Sequence, residues 1–114
     1  GRFYQFWLDA LDHKAPMLTG ATARTAVSLH APASPTFGFG YGFMVGTDAS
    51  VQLSRGSLCS PSTFGHPGMC SSQSYADPVT GLVVVLLANV DPGQAESDRR
   101  FAILCDTISR AVVA

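Results

Sequence analysis

The sequence predicts an α+β fold in which an antiparallel β-meander is flanked by helices. Three observations lead to this class. Apolar residues recur at helical spacing near both ends of the chain, and short aromatic or aliphatic runs separated by turn residues fill the middle. The length of 114 residues allows a single domain with a modest core.

Two helices are predicted at the N-terminal end. The first carries an apolar stripe at i, i+3, i+4, i+7 and i+8, formed by Phe3, Phe6, Trp7, Ala10 and Leu11. The segment Asp12 to Pro16 ends it. A second helix is predicted from Thr19 or Ala21 to Leu29, because prolines follow it. Residues 31–36 are expected to form a connector.

A glycine-rich aromatic stretch follows from Phe37 to Val45. Its large residues, Phe37, Phe39, Tyr41 and Phe43, alternate with Gly38, Gly40 and Gly42. This alternation predicts one strand whose large side chains share a face and whose other face is bare backbone. The glycines do not open a helix, so the pattern does not suit a dinucleotide-binding loop.

The remaining strands are separated by polar turns. Thr47 to Ser62 is predicted to be a loop, and strands are expected at Thr63 to His66 and Ser71 to Ala76. Asp77 to Gly81 has the residues of a tight turn. Leu82 to Val90 is almost wholly apolar, which is typical of a strand covered on both faces.

A terminal helix is predicted after the breaker Asp91-Pro92-Gly93. Glu96 and Asp98 are expected in its first turn, where acidic side chains interact favourably with the helix dipole. Helical spacing relates its apolar residues, which are Phe101, Leu104, Cys105, Ile108, Ala111 and Val112.

Composition narrows the possible partners. Charged residues make up only 13% of the chain against 46% hydrophobic residues, and the net charge is −1 with scattered basic residues, which does not suit nucleic acid. The longest apolar run, Leu82 to Ala88, is too short to cross a membrane. The three cysteines and three histidines lack metal-binding spacing, so we expect free thiols, no metal and no cofactor; they are Cys59, Cys70, Cys105, His13, His30 and His66.

Several of these segments together resemble a known family. The order is a glycine-rich aromatic strand, a loop, His66-Pro67-Gly68, the Tyr75-Ala76-Asp77-Pro78 turn, the apolar strand ending at Asn89 and a closing helix. It resembles the C-terminal part of the serine β-lactamase and penicillin-binding-protein-like family, in its class C β-lactamase, D-alanyl-D-alanine carboxypeptidase and esterase branch. The resemblance implies the C-terminal portion of a β-lactamase-like α/β/α sandwich. Residues 1–114 would form one partial domain, with a helical segment over 1–36 and the sheet plus C-terminal helix over 37–114.

The resemblance also implies site residues. His66 would be the basic residue of a His-X-Gly box, Gly68 would keep the strand clear for substrate, and the backbone N–H of Met69 would contribute to an oxyanion hole. Asn89 would help to hold a substrate carboxylate. The family acts on amides or esters through an acyl-serine intermediate, yet no Ser-X-X-Lys nucleophile motif occurs in the sequence. We therefore expect this chain to be inactive alone, with a small-molecule or peptide substrate bound by the full-length protein.

Other interpretations remain open at this stage. If the family resemblance is set aside, His66 is an ordinary loop histidine, or it pairs with a nearby serine. The rim Met69-Cys70-Ser71-Ser72 departs from the small residues that relatives often have there, which suits a non-catalytic remnant or interaction domain that binds a ligand or partner. The resemblance also implies that Leu82–Val90 is a central strand that pairs, in the family, with a strand from an N-terminal segment not found in this sequence. Its uncharged outer edge would then be unpaired, and we expect self-association of the chain alone. Relatives are often exported, but the sequence carries no export signal, so the compartment is not predicted.

Overall fold

A computed structural model describes residues 1–33, 37–46, 55–69 and 71–113 of the chain. Three helices and six strands are formed by these residues, in the order α1 Arg2–Leu11, α2 Gly20–Ala26, β1 Ala31–Pro32, β2 Phe37–Phe39, β3 Met44–Gly46, β4 Phe64–Gly68, β5 Ser72–Asp77, β6 Leu82–Leu86 and α3 Gln94–Val113. The α+β prediction is confirmed.

The strands form one antiparallel sheet in the order β1-β2-β3-β4-β5-β6, so each strand pairs with its neighbour in sequence. Side chains of directly paired residues lie on the same face of such a sheet. Phe64 pairs with Ala76, and Ala76 with Val83, on the face that α1 covers. The next pairs along, which join Gly65 to Tyr75 and Tyr75 to Val84, face α3.

The larger core lies between α1 and the sheet, but the buried face of α1 is shifted from the predicted stripe: Tyr4 and Leu8 are buried, whereas Phe3 is 59% exposed. Tyr4, Leu8, Phe43, Val45, Phe64 and Ala76 are buried together there. The ring of Trp7 packs edge-on against Phe43 with centroids 5.0 Å apart. This contact fixes the aromatic turn of the sheet against the N-terminal helix.

A second cluster lies on the opposite face of the sheet, where α3 packs. Tyr75, Val84 and Cys105 are buried in it, and Leu82, Leu86 and Ile108 pack against them. The helix begins at Gln94, earlier than its apolar pattern indicates, and only Glu96 of the two predicted acidic residues lies in the first turn.

The second helix is shorter than predicted. It is capped at its start by Thr19, whose side-chain oxygen accepts the N–H of Thr22 at 3.2 Å. It ends at Ala26 instead of Leu29, and Leu29 is exposed.

The aromatic stretch is not the single strand that the alternation predicts. It is a hairpin of β2 and β3, and its turn packs against the end of α2: the N–H of Tyr41 donates to the Ala26 carbonyl at 2.7 Å. Gly42 has φ +80°, a conformation that glycine adopts without strain. A side chain at Gly40 would collide with the Ala26 carbonyl oxygen. Gly42 allows the tight turn, and Gly40 allows the backbone of Ala26 to approach closely. These two requirements decide the structure against the single strand that the period-two pattern predicts.

Two further boundaries differ from the prediction. Part of the expected connector, Ala31–Pro32, pairs with β2 as a short strand. The strand predicted over Leu82–Val90 ends at Leu86, and it is not covered on both faces, since Val85 is 42% exposed and Leu87, just after the strand, is 83% exposed. The reason is that β6 is the end strand of the sheet formed by the described residues, so it lacks a neighbouring strand on one side.

The two strands predicted between the loop and the turn are confirmed with shifts of one or two residues, as β4 and β5. The turn after β5 is also confirmed: the N–H of Gly81 donates to the Asp77 carbonyl at 2.9 Å. Residues 47–54 of the predicted loop lie outside the described residues, and 55–62 contain neither helix nor strand.

Candidate functional site

A cavity of about 690 Å³ lies where the C-terminal end of β4 meets the N-terminal end of α3. Gly68 and Met69 form one wall, and α3 supplies another. The other lining residues are Phe37, Met44, Pro67, Ser71, Ser72, Gln73, Asp91, Gly93, Gln94, Ser97, Asp98 and Phe101. A mainly apolar concavity of this size with a few polar groups is the usual form of a small-molecule site.

The wall between β5 and α3 is held by a pair of serines. The hydroxyl oxygens of Ser71 and Ser97 are 2.7 Å apart and share a hydrogen bond. Ser97 is buried, and Ser71 has φ +59°, which is uncommon for a residue other than glycine. The bond therefore holds Ser71, a residue of the rim, in a strained conformation beside the first turn of the helix.

The first turn of α3 carries its own ion pairs. The carboxylate of Glu96 accepts from Arg99 at 2.8 Å and from Arg100 at 2.7 Å. These hydrogen bonds lower the pKa of Glu96 to about 2. The carboxylate thus stays ionised near the cavity, although its exposure to solvent keeps the energetic value of the pairs small.

His66 follows Gly65 in β4 and is paired across the ladder with Ser74, whose hydroxyl contacts α1. Its ring stacks against that of Phe39, with centroids 6.3 Å apart. The imidazole is exposed, and its Nδ1 is 2.6 Å from the Pro67 carbonyl. A carbonyl only accepts, so Nδ1 carries the proton and the lone pair of a neutral ring is on Nε2.

The backbone of β4 at His66 is tied to α1 by two hydroxyl groups. The Ser74 hydroxyl donates to the His66 carbonyl at 3.2 Å. The buried Tyr4 hydroxyl is 2.9 Å from the Ser74 hydroxyl and donates to the Ser74 carbonyl at 3.2 Å. This Tyr4–Ser74–His66 chain fixes the strand that carries the predicted box.

The structure brings some of the predicted site residues together and separates others. Gly68 and Met69 share the cavity, with the Met69 side chain 91% exposed. His66 does not line it. Asn89 lies in the exposed segment between β6 and α3, also outside the lining. The catalytic and binding roles of these four residues therefore stay predictions.

Sequence reasoning missed the contribution of α3 to this site. Ser97 stands four residues before Phe101 and eight before Cys105, so it belongs to the buried stripe of the helix. Extending the apolar period backwards to a small polar residue would have identified it. The signal was weak because serine interrupts the apolar pattern.

Comparison with known proteins identifies the family and the fold of this chain. A sequence profile of the family described as Beta-lactamase matches residues 1–106. The chain belongs to the beta-lactamase family. The fold agrees: a solved beta-lactamase from Mycobacterium bovis superposes with a TM-score of 0.73 at 21% identity, over 96% of this chain and 42% of that one.

Shorter stretches match curated relatives. A Salmonella enteritidis protein named as a D-alanyl-D-alanine carboxypeptidase is 38% identical over 60 residues, which are 53% of this chain and 13% of that protein. An Escherichia coli K12 protein of the same name is 37% identical over 51 residues, which are 45% of this chain and 12% of that protein. The chain thus matches about an eighth of the length of these relatives, and a serine hydrolase relation follows from the family.

In this beta-lactamase-family chain, the segment before β4 is anchored by two carboxylates. Asp106 of α3 accepts the N–H groups of Ser57 at 2.7 Å and Leu58 at 3.2 Å, and the Ser57 hydroxyl at 3.1 Å. Asp77 of β5 accepts the N–H of Ser60 at 2.8 Å. The path of the chain into β4 is therefore held from both the helix and the sheet.

A buried arginine completes this anchor. Arg55 donates to the carbonyls of Thr63 and Met44, both at 3.2 Å. Burial lowers the pKa of Arg55. The guanidinium joins the ends of β3 and β4 from inside the protein, where leaving it unpaired would be costly.

Three titratable side chains lie beneath α3, of which Tyr75 and Cys105 are buried and Cys59 is half-buried. Cys59 and Cys105 are free thiols that lie beside the hydroxyl of Tyr75. Burial raises the pKa of Cys59, raises that of Cys105 to about 11, and raises that of Tyr75. All three stay protonated at neutral pH, so the thiols are packing groups and poor nucleophiles. The third cysteine, Cys70, lies outside the described residues.

Two negative findings concern the described part of the chain. Within residues 1–33, 37–46, 55–69 and 71–113, no three His, Cys, Asp or Glu side chains are grouped so as to hold a metal ion. The helices of the same ranges include none with the length and apolar character needed to span a membrane.

Proposed function

We propose that this chain supplies the substrate-binding strand and part of the oxyanion hole of a beta-lactamase-family serine hydrolase. The single observation that supports this most directly is the cavity at the end of β4, where Gly68 and Met69 stand at the rim beside α3. The reaction would be hydrolysis of an amide or ester through an acyl-serine intermediate. The nucleophile would come from residues other than these 114, because no Ser-X-X-Lys motif occurs among them.

In this proposal the backbone of β4 acts on the reacting carbonyl. The N–H of Met69 would donate to the oxygen as it becomes negative, and such a donor is worth about 3 kcal/mol of transition-state stabilisation. Gly68 presents no side chain on this approach. Met69 contributes through its backbone, which agrees with the high exposure of its side chain.

His66 would act as the basic residue of the box. Because its Nδ1 donates to Pro67, the Nε2 atom is the one available to a substrate or to a neighbouring catalytic group. The Tyr4–Ser74–His66 chain would keep the strand in register while substrate binds. Asn89 would contact a substrate carboxylate only if the segment after β6 closes towards the cavity.

The names of the Salmonella and Escherichia coli relatives suggest a D-alanyl-D-alanine terminus as the substrate class. The cavity suits such a ligand, since Pro67, Phe101 and Met44 offer surface for methyl groups and the serine pair offers hydroxyls. We therefore propose a peptide ending in D-alanine as the first ligand to test.

Binding can be tested on the chain itself by NMR. In a titration with D-alanyl-D-alanine, we expect the amide signals of Gly68, Met69 and Ser97 to shift, and to shift less with the L,L dipeptide. Met69→Pro, which removes the N–H, should weaken binding, while Met69→Ala, which keeps it, should not. Equal responses to both dipeptides, or no response near β4, would count against the proposal.

Covalent chemistry needs a separate measurement. Incubation with a fluorescent penicillin or a fluorophosphonate, followed by intact-protein mass spectrometry, should give no adduct. An adduct that His66→Ala abolishes would mean that a local serine works with His66, and the proposed division of roles would be wrong. Binding without an adduct would also suit the alternative of a non-catalytic ligand-binding remnant. Addition of a polypeptide that carries a Ser-X-X-Lys segment would then distinguish these alternatives. A covalent adduct on the added serine would favour the hydrolase part, and no adduct would favour the non-catalytic remnant.

A further inference from the structure

The connection between β4 and β5 is a tight hairpin loop at the rim of the cavity. The last pair of the ladder joins Gly68 to Ser72, so the loop consists of residues 69–71. A three-residue hairpin loop commonly ends on a residue with positive φ, and glycine is the residue that takes this conformation without strain. In this chain Ser71 occupies the position, at φ +59°. The loop therefore closes on a residue that needs support from elsewhere in the protein.

The support comes from α3. The hydroxyl oxygen of Ser71 lies 2.7 Å from that of Ser97, a bond that spans 26 residues. Ser97 is buried in the first turn of the helix, and its own N–H donates to the Gly93 carbonyl at 3.0 Å. The helix is fixed to the sheet in turn, because Cys105 is buried in one cluster with Tyr75. The loop is thus held by a side chain that has little freedom of its own.

The other end of the loop carries the backbone group on which the proposed function depends. Met69 stands two residues before Ser71, and its carbonyl accepts a hydrogen bond from the Ser72 hydroxyl at 3.5 Å. A side chain at Gly68 would collide with that hydroxyl. Because so short a loop has few conformations that join its two strands, a change at Ser71 would also turn the peptide group of the Met69 N–H.

We propose that Ser97 is a positioning residue, which fixes the direction of the Met69 N–H by holding Ser71 at positive φ. Its relevance to substrate rests on the proposed function, in which this N–H donates to the reacting carbonyl oxygen. An oxyanion donor acts through geometry that is set before the reaction, and the useful donor–oxygen distances span only about 2.7–3.1 Å. Ser97 acts on this geometry through Ser71 and not on the reacting oxygen itself.

A purely structural role for Ser97 predicts a different result. If the bond to Ser71 only fixed α3 to the sheet, Ser71→Ala and Ser71→Gly would have the same effect, because both remove the hydroxyl. If the bond holds positive φ, only Ser71→Ala should release the loop, since glycine keeps this conformation unaided. Ser71→Gly should then also rescue Ser97→Ala.

Backbone NMR of the ligand-free chain tests this directly. We expect the Met69 amide signal to move in Ser97→Ala and in Ser71→Ala, and to return to its wild-type position in the Ser71→Gly/Ser97→Ala double variant. Ser109→Ala is the control, because Ser109 is also a buried serine of α3 but does not line the cavity, and the Met69 signal should stay in place. A signal that does not respond to Ser97→Ala, or that the double variant fails to restore, would overturn the proposal. If Ser97→Ala did not fold by circular dichroism, Ser71→Ala against Ser71→Gly would test the same point.

Titration with D-alanyl-D-alanine then tests Ser97 against the proposed function. In Ser97→Ala we expect the Kd to rise about fivefold, the effect of losing one well-placed hydrogen bond, and the double variant should recover it. Unchanged affinity in Ser97→Ala, or a loss that persists in the double variant, would overturn the positioning role while the proposed function stands. A wild-type chain that binds no dipeptide would refute the proposed function, and the Met69 signals would still decide whether Ser97 holds the loop.

Discussion

Tyr4 shows how a single hydroxyl group connects a helix to the predicted site strand. It lies 70 residues from Ser74 in sequence, and it holds both the side chain and the carbonyl of that residue. Tyr4→Phe keeps the ring in the core and removes only these bonds. We expect a loss of about 1 kcal/mol in the free energy of unfolding, measured by urea denaturation, because a buried hydrogen bond contributes about that much.

The matched control for this change is Tyr41→Phe. Tyr41 is exposed, and its removed hydroxyl would leave nothing buried and unsatisfied. The amide signals around His66 should move in Tyr4→Phe and stay in place in the control. If both variants were equally stable and the His66 region were unchanged, the hydroxyl chain would not position β4.

At the scale of elements, α3 acts as a clamp on the segment that leads into β4. Asp106→Ala would remove a carboxylate that accepts three hydrogen bonds from Ser57 and Leu58. We expect a loss of about 2 kcal/mol, since hydrogen bonds to charged groups are the stronger kind. Thermal unfolding measures the loss, and hydrogen exchange should be faster over residues 55–60 than elsewhere.

Asp12→Ala serves as the control for the clamp. Its carboxylate forms only an exposed ion pair with Lys14 at 3.1 Å, and such pairs contribute little. A comparable loss of stability in the two variants, or exchange that rises uniformly in Asp106→Ala, would contradict the clamp.

The sequence predicted the elements that depend on repeated local patterns. The existence of α1, the turn after β5 and the start of the strand at Leu82 followed from spacing and turn residues alone, whereas the buried face of α1, which holds Tyr4 and Leu8, did not. The hairpin at Gly40 and Gly42 did not, because the choice between strand and turn was made by the end of α2, which packs against it. A period-two pattern contains no information about such a distant neighbour.

The candidate site divides in the same way. Gly68 and Met69 were found through the box motif, and the structure places them at one cavity. Ser97 was missed because its contact with Ser71 spans 26 residues and joins two polar side chains of no distinctive spacing. Sequence patterns predicted that β4 contributes to a site, whereas the opposite wall of the cavity depends on how α3 docks.

For the molecule as a whole, the buried thiols and phenol predict instability in alkali. A thiol whose pKa rises from 9.0 unfolded to about 11 folded holds its proton more tightly in the folded state. Its stabilising contribution is complete below pH 9 and is lost as the pH rises towards 11. Cys59 and Tyr75, whose pKa values are also raised, act in the same direction.

Urea denaturation at a series of pH values measures this effect. We expect the free energy of unfolding to fall between pH 9 and pH 11, and the fall to be smaller in Cys105→Ala. Arg110→Ala, an exposed change on the same helix, should leave the slope unaltered. A wild-type stability that is flat or rising over this range would show that the thiol is not buried as described.

The meander order of the sheet has a consequence for how the chain folds. Each strand meets its neighbour in sequence, so the sheet can assemble from local hairpins, whereas α1 must find β5 across most of the chain. We expect α1 to dock last. Trp7, the sole tryptophan, lies on α1 against Phe43, so its fluorescence in stopped-flow refolding should lag behind the circular dichroism signal of the strands. Coincident signals would instead mean that helix and sheet form in one cooperative step.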